Sequence, residues 1–261
     1  MTPPITAVAV VVPARDEEEL LPRCLDSLTV ARAAAQAAGL EVSIHVVADS
    51  CTDGTVAVAG RYRGVEVLCT AAGAVGAARR LGAEVALRHR PDLRRLWLCS
   101  TDADCVVPPW WITHQQRIAD RGADLVLGTV DLPGPDRGDA RFDGWRRAYR
   151  SRITTGGRHP YVHGANLGIR ASTYAAVHGW NDGGAHEDVA LVAAVRRLAP
   201  QRVRTSVGIP VVTSARLRGR APSGVADDLR RASARADARG RALLHRRTRG
   251  ITGPVRTTGS G

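Results

Sequence analysis

Residues Ala7–Val12 read Ala-Val-Ala-Val-Val-Val, an unbroken, mostly β-branched run that suits a strand buried on both faces. Glu17–Ala38 follows as a helix, with acids in its first turn where they suit the positive end of the dipole. Val42–Ala48 is the next buried strand, followed by a turn, Asp49–Gly54, and a short helix. Val65–Leu68 is a third strand, Gly76–Arg88 a helix, and Leu96–Ser100 a fourth strand ending in Thr101-Asp-Ala-Asp104. Pro108 and Pro109 start another helix, and Leu125–Val130 is a fifth strand. Strands and helices alternating at this spacing imply an α/β fold, a mainly parallel twisted sheet flanked by helices. Ligands in such sheets bind at the carboxyl ends of the strands. The Pro/Gly/Asp-rich stretch Pro133–Asp139 interrupts the pattern. Beyond it Arg141–Arg152 and Val189–Leu198 look helical, His163–Arg170 is a strand or loop, and Val225–Arg247 is an Arg-rich helix. The expected organisation is one domain over 1–213, a helical extension over 214–251 packing on it, and a disordered tail over 252–261.

Composition narrows the chemistry. The 261 residues contain no lysine, so all 37 basic residues are arginine. A lysine-based P-loop, a Schiff-base enzyme and a protein kinase relying on its strand lysine are thereby excluded. The net charge of +12 is uneven: the stretch from Ser214 holds 12 arginines against Asp227, Asp228 and Asp237, leaving 25 basic against 22 acidic residues before it. A basic tail suits nucleic acid, an anionic membrane surface or a phosphorylated substrate, or is simply a solvated helix face. The five cysteines (Cys24, Cys51, Cys69, Cys99, Cys105) form no C-x-x-C pair, which points to a reducing compartment rather than a disulfide or zinc framework. With no basic leader and no apolar run long enough to span a bilayer, the expectation is a cytoplasmic protein.

Three acidic sites carry candidate chemistry. Asp49, at the end of the second strand, can accept hydrogen bonds from a ribose or a base edge, or sit in an Asx turn; Asp53 and Gly54 read as a cap for the next helix. Asp102 and Asp104, two residues apart at a strand terminus, direct both carboxylates to one side and offer hard oxygens to Mg²⁺ or Mn²⁺. In His186-Glu187-Asp188, the acids either complement a helix dipole or supply a general base for a hydroxyl nucleophile.

The succession Val11-Val-Pro-Ala-Arg-Asp-Glu17, Val46-Val-Ala-Asp-Ser-Cys-Thr-Asp-Gly-Thr55, Gly76-Ala-Ala-Arg-Arg80, Ser100-Thr-Asp-Ala-Asp-Cys105, Gly164-Ala-Asn-Leu-Gly-Ile-Arg170 and Glu187-Asp188 resembles the family 2 glycosyltransferases of GT-A fold, over roughly residues 5–200. The resemblance implies a nucleotide-diphospho-sugar transferase fold in which Pro13, Arg15 and Glu17 line the base and ribose. It further implies that Asp49 binds the base, Arg79 lies near the diphosphate, Asp102 and Asp104 form the metal-binding D-x-D pair, and Asp188 is the catalytic base with Glu187 its neighbour. The chain departs from the pattern in three ways: Ala48-Asp49 stands where many members have Asp-Asp, the Q-x-x-R-W motif of processive synthases is missing, and the late loop Thr213–Arg220 lacks a metal-binding histidine. His163, His186 or water is left to complete the metal shell. Arg216 and Arg220 are expected to grip the donor diphosphate, since guanidinium forks match phosphate oxygens, or to be ordinary basic surface.

The activity so implied is transfer of a sugar from a nucleoside-diphosphate sugar to a hydroxyl of a small-molecule, lipid-linked or glycan acceptor. It would be assisted by Mg²⁺ or Mn²⁺ and inverting, with Asp188 as general base. A retaining course would share the same donor half. Two other classes compete, a sugar-nucleotide pyrophosphorylase-like nucleotidyltransferase and a non-catalytic nucleic-acid-binding protein. The first lacks its Gly-rich loop and lysine. For the second there are few aromatic residues to stack on bases, so no nucleic-acid partner is expected. The tail leaves peripheral contact with the inner face of an anionic membrane as a further use.

Overall fold

In the computed structural model, which describes residues 2–88, 90–133, 142–182, 186–217 and 224–234, the run at Ala7 becomes β1 (Ala7–Ala14). There follow α1 (Leu21–Ala37), β2 (Glu41–Asp49), α2 (Thr55–Ala59), β3 (Val65–Thr70), α3 (Val75–Arg88), β4 (Leu96–Ser100), α4 (Trp111–Asp120) and β5 (Leu125–Asp131). After these come α5 (Asp143–Arg150), β6 (Leu167–Arg170), α6 (Ala171–Ala176), α7 (Glu187–Leu198) and β7 (Val203–Val212). The strands form one sheet in the order β3-β2-β1-β4-β6-β5-β7. All neighbours are parallel except β6, which runs antiparallel to both β4 and β5. The expected mainly parallel sheet is therefore present, with one reversed strand inside it.

Alternation along β1 explains the layering. Val8, Val10 and Val12 point to the face covered by α1 and α4, where Leu21, Leu25, Leu28 and Ile112 complete the larger core cluster. Ala7, Ala9 and Val11 point to the other face, where small residues let α3 lie close. A Cβ on Gly82 of α3 would come within 2.6 Å of Val11 Cγ1, so that contact needs glycine. Each fully buried Val or Leu contributes about 1.5–3 kcal/mol relative to exposure.

Three sequence expectations change. α1 begins at Leu21, with no acidic residue in its first turn and Pro22 near its start, where a proline fits. Glu17 instead belongs to the loop after β1: its backbone N–H bonds Thr55 Oγ1 at 2.7 Å, and its carbonyl accepts from Leu20 and Leu21. Asp102 and Asp104 lie beyond the strand, in a turn closed by Cys105 N–H donating to Asp102 O at 3.1 Å. β7 had no counterpart in the sequence reading because Gly208 and Pro210 break its pattern; it is an edge strand, where a proline is tolerated.

β5 carries a register shift between Gly128 and Val130 against β7. Asn166, fully buried, spans the irregularity: its Nδ2 donates to Thr129 O at 2.8 Å and Ile209 O at 2.6 Å, and its Oδ1 accepts from Trp111 Nε1 at 2.9 Å. Of the C-terminal extension, residues 225–234 are helical, and Leu229 is fully buried against Leu132 and Phe142. The remainder of that helix, the 252–261 tail and Arg220 lie outside the described residues. No helix among the described residues is long and apolar enough to cross a membrane.

Candidate active site

Loops after β1, β2, β4 and β7, together with the start of α7, enclose a cleft of about 420 Å³ at the carboxyl ends of the parallel strands. Its walls include Pro13, Arg15, Glu17, Asp49, Arg79, Asp102, Asp104, Glu187, Asp188 and Arg216, so every described residue that the resemblance assigns to binding or catalysis, and Arg216 with them, reaches one cavity. His186, one of four non-glycine residues with positive φ among the described residues, lines it. Such backbone strain tends to collect where surrounding structure holds a site in place.

Asp49 ends β2, and its Oδ1 accepts from Gly73 N–H at 2.8 Å and Ser50 Oγ at 3.0 Å. Asp49 Oδ2 takes no hydrogen bond among the described residues, and the residue lines the cleft. Asp53 does local work: it accepts from the Thr55 N–H and hydroxyl, and its other oxygen accepts from Glu18 N–H at 3.1 Å.

Arg79, 3% exposed, bridges two motifs. One guanidinium nitrogen pairs with Glu187 Oε1 and another with Asp102 Oδ1, and the group lies 5.3 Å from the Trp180 ring centroid. Burial opposes the Arg79 charge, but Asp102 and Glu187 outweigh it and hold the group more firmly protonated than usual. Burial likewise raises the Glu187 carboxyl above the ordinary carboxylate range, with Arg79 pulling against it. Asp102 keeps 38% of its side-chain surface open to the cleft, yet burial, with Asp104 and Asp188 nearby, raises its carboxyl against the pull of Arg79. Arg79 is thus an enclosed cation in the wall of the cleft, paired with two acids. Gly164 packs against it: a Cβ there would fall 2.5 Å from an Arg79 nitrogen.

Asp188, half-buried, has both oxygens fixed by backbone donors: Oδ2 accepts from Gly164 N–H and Oδ1 from Val189 N–H, each at 2.8 Å. The two adjacent acids are therefore unlike, Glu187 buried on Arg79 and Asp188 facing the cavity. On the same side His163 bonds the Tyr149 hydroxyl at 3.0 Å, within a stack of Trp145, Tyr149 and Tyr161. Val130 N–H donates to the Tyr149 oxygen, and the same hydroxyl shares a hydrogen bond with His163 Nε2. Burial, helped by His159, lowers the His163 imidazole to about 4 and keeps it neutral, although Asp188 and Asp228 pull the other way.

Asp104 is enclosed by residues beyond β7. Its Oδ2 accepts from Ser214 Oγ at 2.6 Å and pairs with Arg216 Nη2 at 3.1 Å, while Arg216 Nη1 pairs with Glu17 Oε1 at 2.8 Å. Ligand atoms of Asp102, Asp104 and Cys105 lie within 4.8 Å of one another. Burial raises the Cys105 thiol well above its usual value, so the neutral thiol donates weakly to Asp104 Oδ1. What is left is a pair of hard oxygen ligands, which fits Mg²⁺ or Mn²⁺ rather than a thiolate metal. Neither His163 nor His186 joins this group among the described residues. Ser214, Trp180 and Tyr149 carried no signal in the sequence reading, because their contacts depend on tertiary packing; His163 was named there only as a candidate metal ligand.

Solved structures with the same architecture include residues 1–349 of S. aureus TarS, at TM-score 0.58 and 15% identity over 80% of this chain and 60% of that one. The same TarS fragment has been solved in complex with UDP, at TM-score 0.58 and 16% identity over 79% of this chain and 60% of that one. Mannosyl-3-phosphoglycerate synthase from Rubrobacter xylanophilus aligns at TM-score 0.53 and 17% identity over 98% of this chain and 79% of that one. The chain thus spans about 60% of the TarS fragment and 36% of the longer TarS structure. These likenesses show that the fold is that of the GT-A glycosyltransferases. No curated protein matches the sequence. The model for glycosyl transferase family 2 matches residues 9–176, well over half of the chain, and the protein belongs to that family.

Proposed function

We propose that this protein transfers a sugar from a nucleoside-diphosphate sugar to an acceptor hydroxyl with inversion at the anomeric carbon. The observation that carries this reading is the convergence of Asp49, Asp102, Asp104 and Asp188 on one cleft at the carboxyl edge of the sheet. UDP is the nucleotide to test first, since the TarS fragment of similar fold was solved with it.

In this reading Asp49 Oδ2 accepts from the base or ribose, with Pro13 and Arg15 beside it. A divalent cation held by Asp102 and Asp104 would offset the negative charge that gathers on the leaving diphosphate. Asp188, pinned by two backbone N–H groups, takes the acceptor proton as the oxygen attacks. Glu187 is unsuited to that task because it is buried against Arg79; it positions Arg79 and, through it, Asp102. The cleft wall also carries Val130, Val162, Ala165, Val189 and Val225, with His163 and Asp228 among them, which gives an acceptor both apolar and polar contacts.

The test is to incubate the protein with a panel of nucleotide sugars and acceptors and to read the product's anomeric configuration by NMR. An inverted glycoside is expected, whereas release of pyrophosphate from a nucleoside triphosphate and a sugar phosphate would instead support a nucleotidyltransferase. Asp188→Asn should lower transfer about 10²–10⁴-fold while leaving UDP affinity nearly unchanged, the scale of lost general-base assistance. Normal turnover in that variant refutes the base assignment.

A further inference from the structure

Both carboxylates of the Asp102–Asp104 pair already have a guanidinium partner, and the two partners are held differently. Arg79 is fixed: its side chain is 4% exposed, clamped by Glu187 and packed on Trp180. Arg216 is 31% exposed, stands in the loop beyond β7, lines the cleft, and is held there by ion pairs to Glu17 and Asp104. Its Nη2 sits 3.1 Å from Asp104 Oδ2. A divalent cation coordinated by Asp104 would meet that guanidinium at close range, where like charges repel strongly.

We propose that Arg216 is an internal counter-cation: it neutralises Asp104 and Glu17 in the ligand-free protein, leaves Asp104 when a divalent cation enters, and pairs with the incoming diphosphate. This rests on the nucleotide-sugar reading above. It adds that metal and nucleotide are coupled through one side chain, because a diphosphate gives Arg216 another anion to pair with and so releases Asp104. Such coupling is reciprocal: whatever factor the nucleotide adds to metal affinity, the metal adds to nucleotide affinity. Ser214, which donates to the same Asp104 oxygen, keeps that carboxylate in place during the exchange.

The experiment titrates Mn²⁺ alone into the full chain and follows free Mn²⁺ by electron paramagnetic resonance, then repeats the titration with UDP present. For Arg216→Gln, Mn²⁺ without nucleotide should bind at least about fivefold tighter than to the wild type, the lower end of typical site-to-site couplings. UDP without metal should bind more weakly to the variant, and the enhancement of Mn²⁺ affinity by UDP should shrink. Arg216→Lys, which keeps the charge, should bind Mn²⁺ no tighter than the wild type and serves if the glutamine variant does not fold. Equal or weaker Mn²⁺ binding by Arg216→Gln, with UDP still bound, overturns the counter-cation role and leaves the nucleotide-sugar reading standing. A wild type that binds neither UDP nor Mn²⁺ overturns both.

Discussion

At Arg79 one guanidinium answers two carboxylates from segments more than 80 residues apart, Asp102 and Glu187. A planar fork can do this and a lysine ammonium cannot do it with the same geometry, which fits a chain whose cations are all arginine. The resemblance implies a place for Arg79 near the diphosphate; in the structure it is buried and joins Asp102 to Glu187. His163 offers the clearest pH test at this scale. Its imidazole is lowered to about 4 by burial, whereas an unfolded histidine titrates near ~6.5. The unfolded chain therefore binds the extra proton first on acidification, and stability present above pH ~6.5 is lost as the pH falls toward ~4. Asp188, Asp228, His159, Tyr149 and Tyr161 surround the ring and are common to both proteins compared. The unfolding free energy from urea denaturation should fall from pH 7 to pH 5 by about 1–2 kcal/mol more in the wild type than in His163→Gln. Equal losses in the two proteins refute the assignment.

At the scale of elements, Asn166 is the stitch that lets β5, β7 and α4 meet at an irregular place. Its amide donates to the Thr129 and Ile209 carbonyls beside the register shift, and its oxygen accepts from the Trp111 indole of α4. Asn166→Ala would strand two backbone carbonyls and the Trp111 indole N–H in the core. A buried polar group without a partner costs about 1–3 kcal/mol, so this variant should lose roughly 3 kcal/mol or more, read from urea unfolding with an unchanged slope. Asn166→Asp should not rescue it, because a carboxylate accepts from Trp111 but faces two carbonyls with nothing to donate. The strands and helices from β1 to β5 were legible because each has its own periodicity. α1 was misplaced at its start because Glu17, Glu18 and Glu19 look like helix-dipole acids, while Glu17 is held out of the helix by Thr55 and Arg216. β7 escaped because only its place at the sheet edge makes Pro210 acceptable.

For the whole molecule, the cleft is assembled from loops that meet only when the sheet closes, so a ligand that fills it should stabilise the entire fold. UDP at 100 times its dissociation constant adds about 2.7 kcal/mol by linkage. For a domain of this size, that corresponds to a rise in thermal midpoint of roughly 5–10 °C, measured by calorimetry with and without Mn²⁺. No rise with any nucleoside diphosphate would count against the donor cleft.

The sequence by itself determined the α/β architecture and the identities of the cleft carboxylates, because buried strands and the polar residues at their ends are local patterns. It also marked Asp49, Asp102, Asp104 and Asp188 as the acids to examine. Only the tertiary structure decided what each acid is free to do. Ion pairs and backbone donors join residues distant along the chain, so burial alone commits Glu187 to Arg79, leaves Asp188 open to the cavity, and sets Arg216 against Asp104.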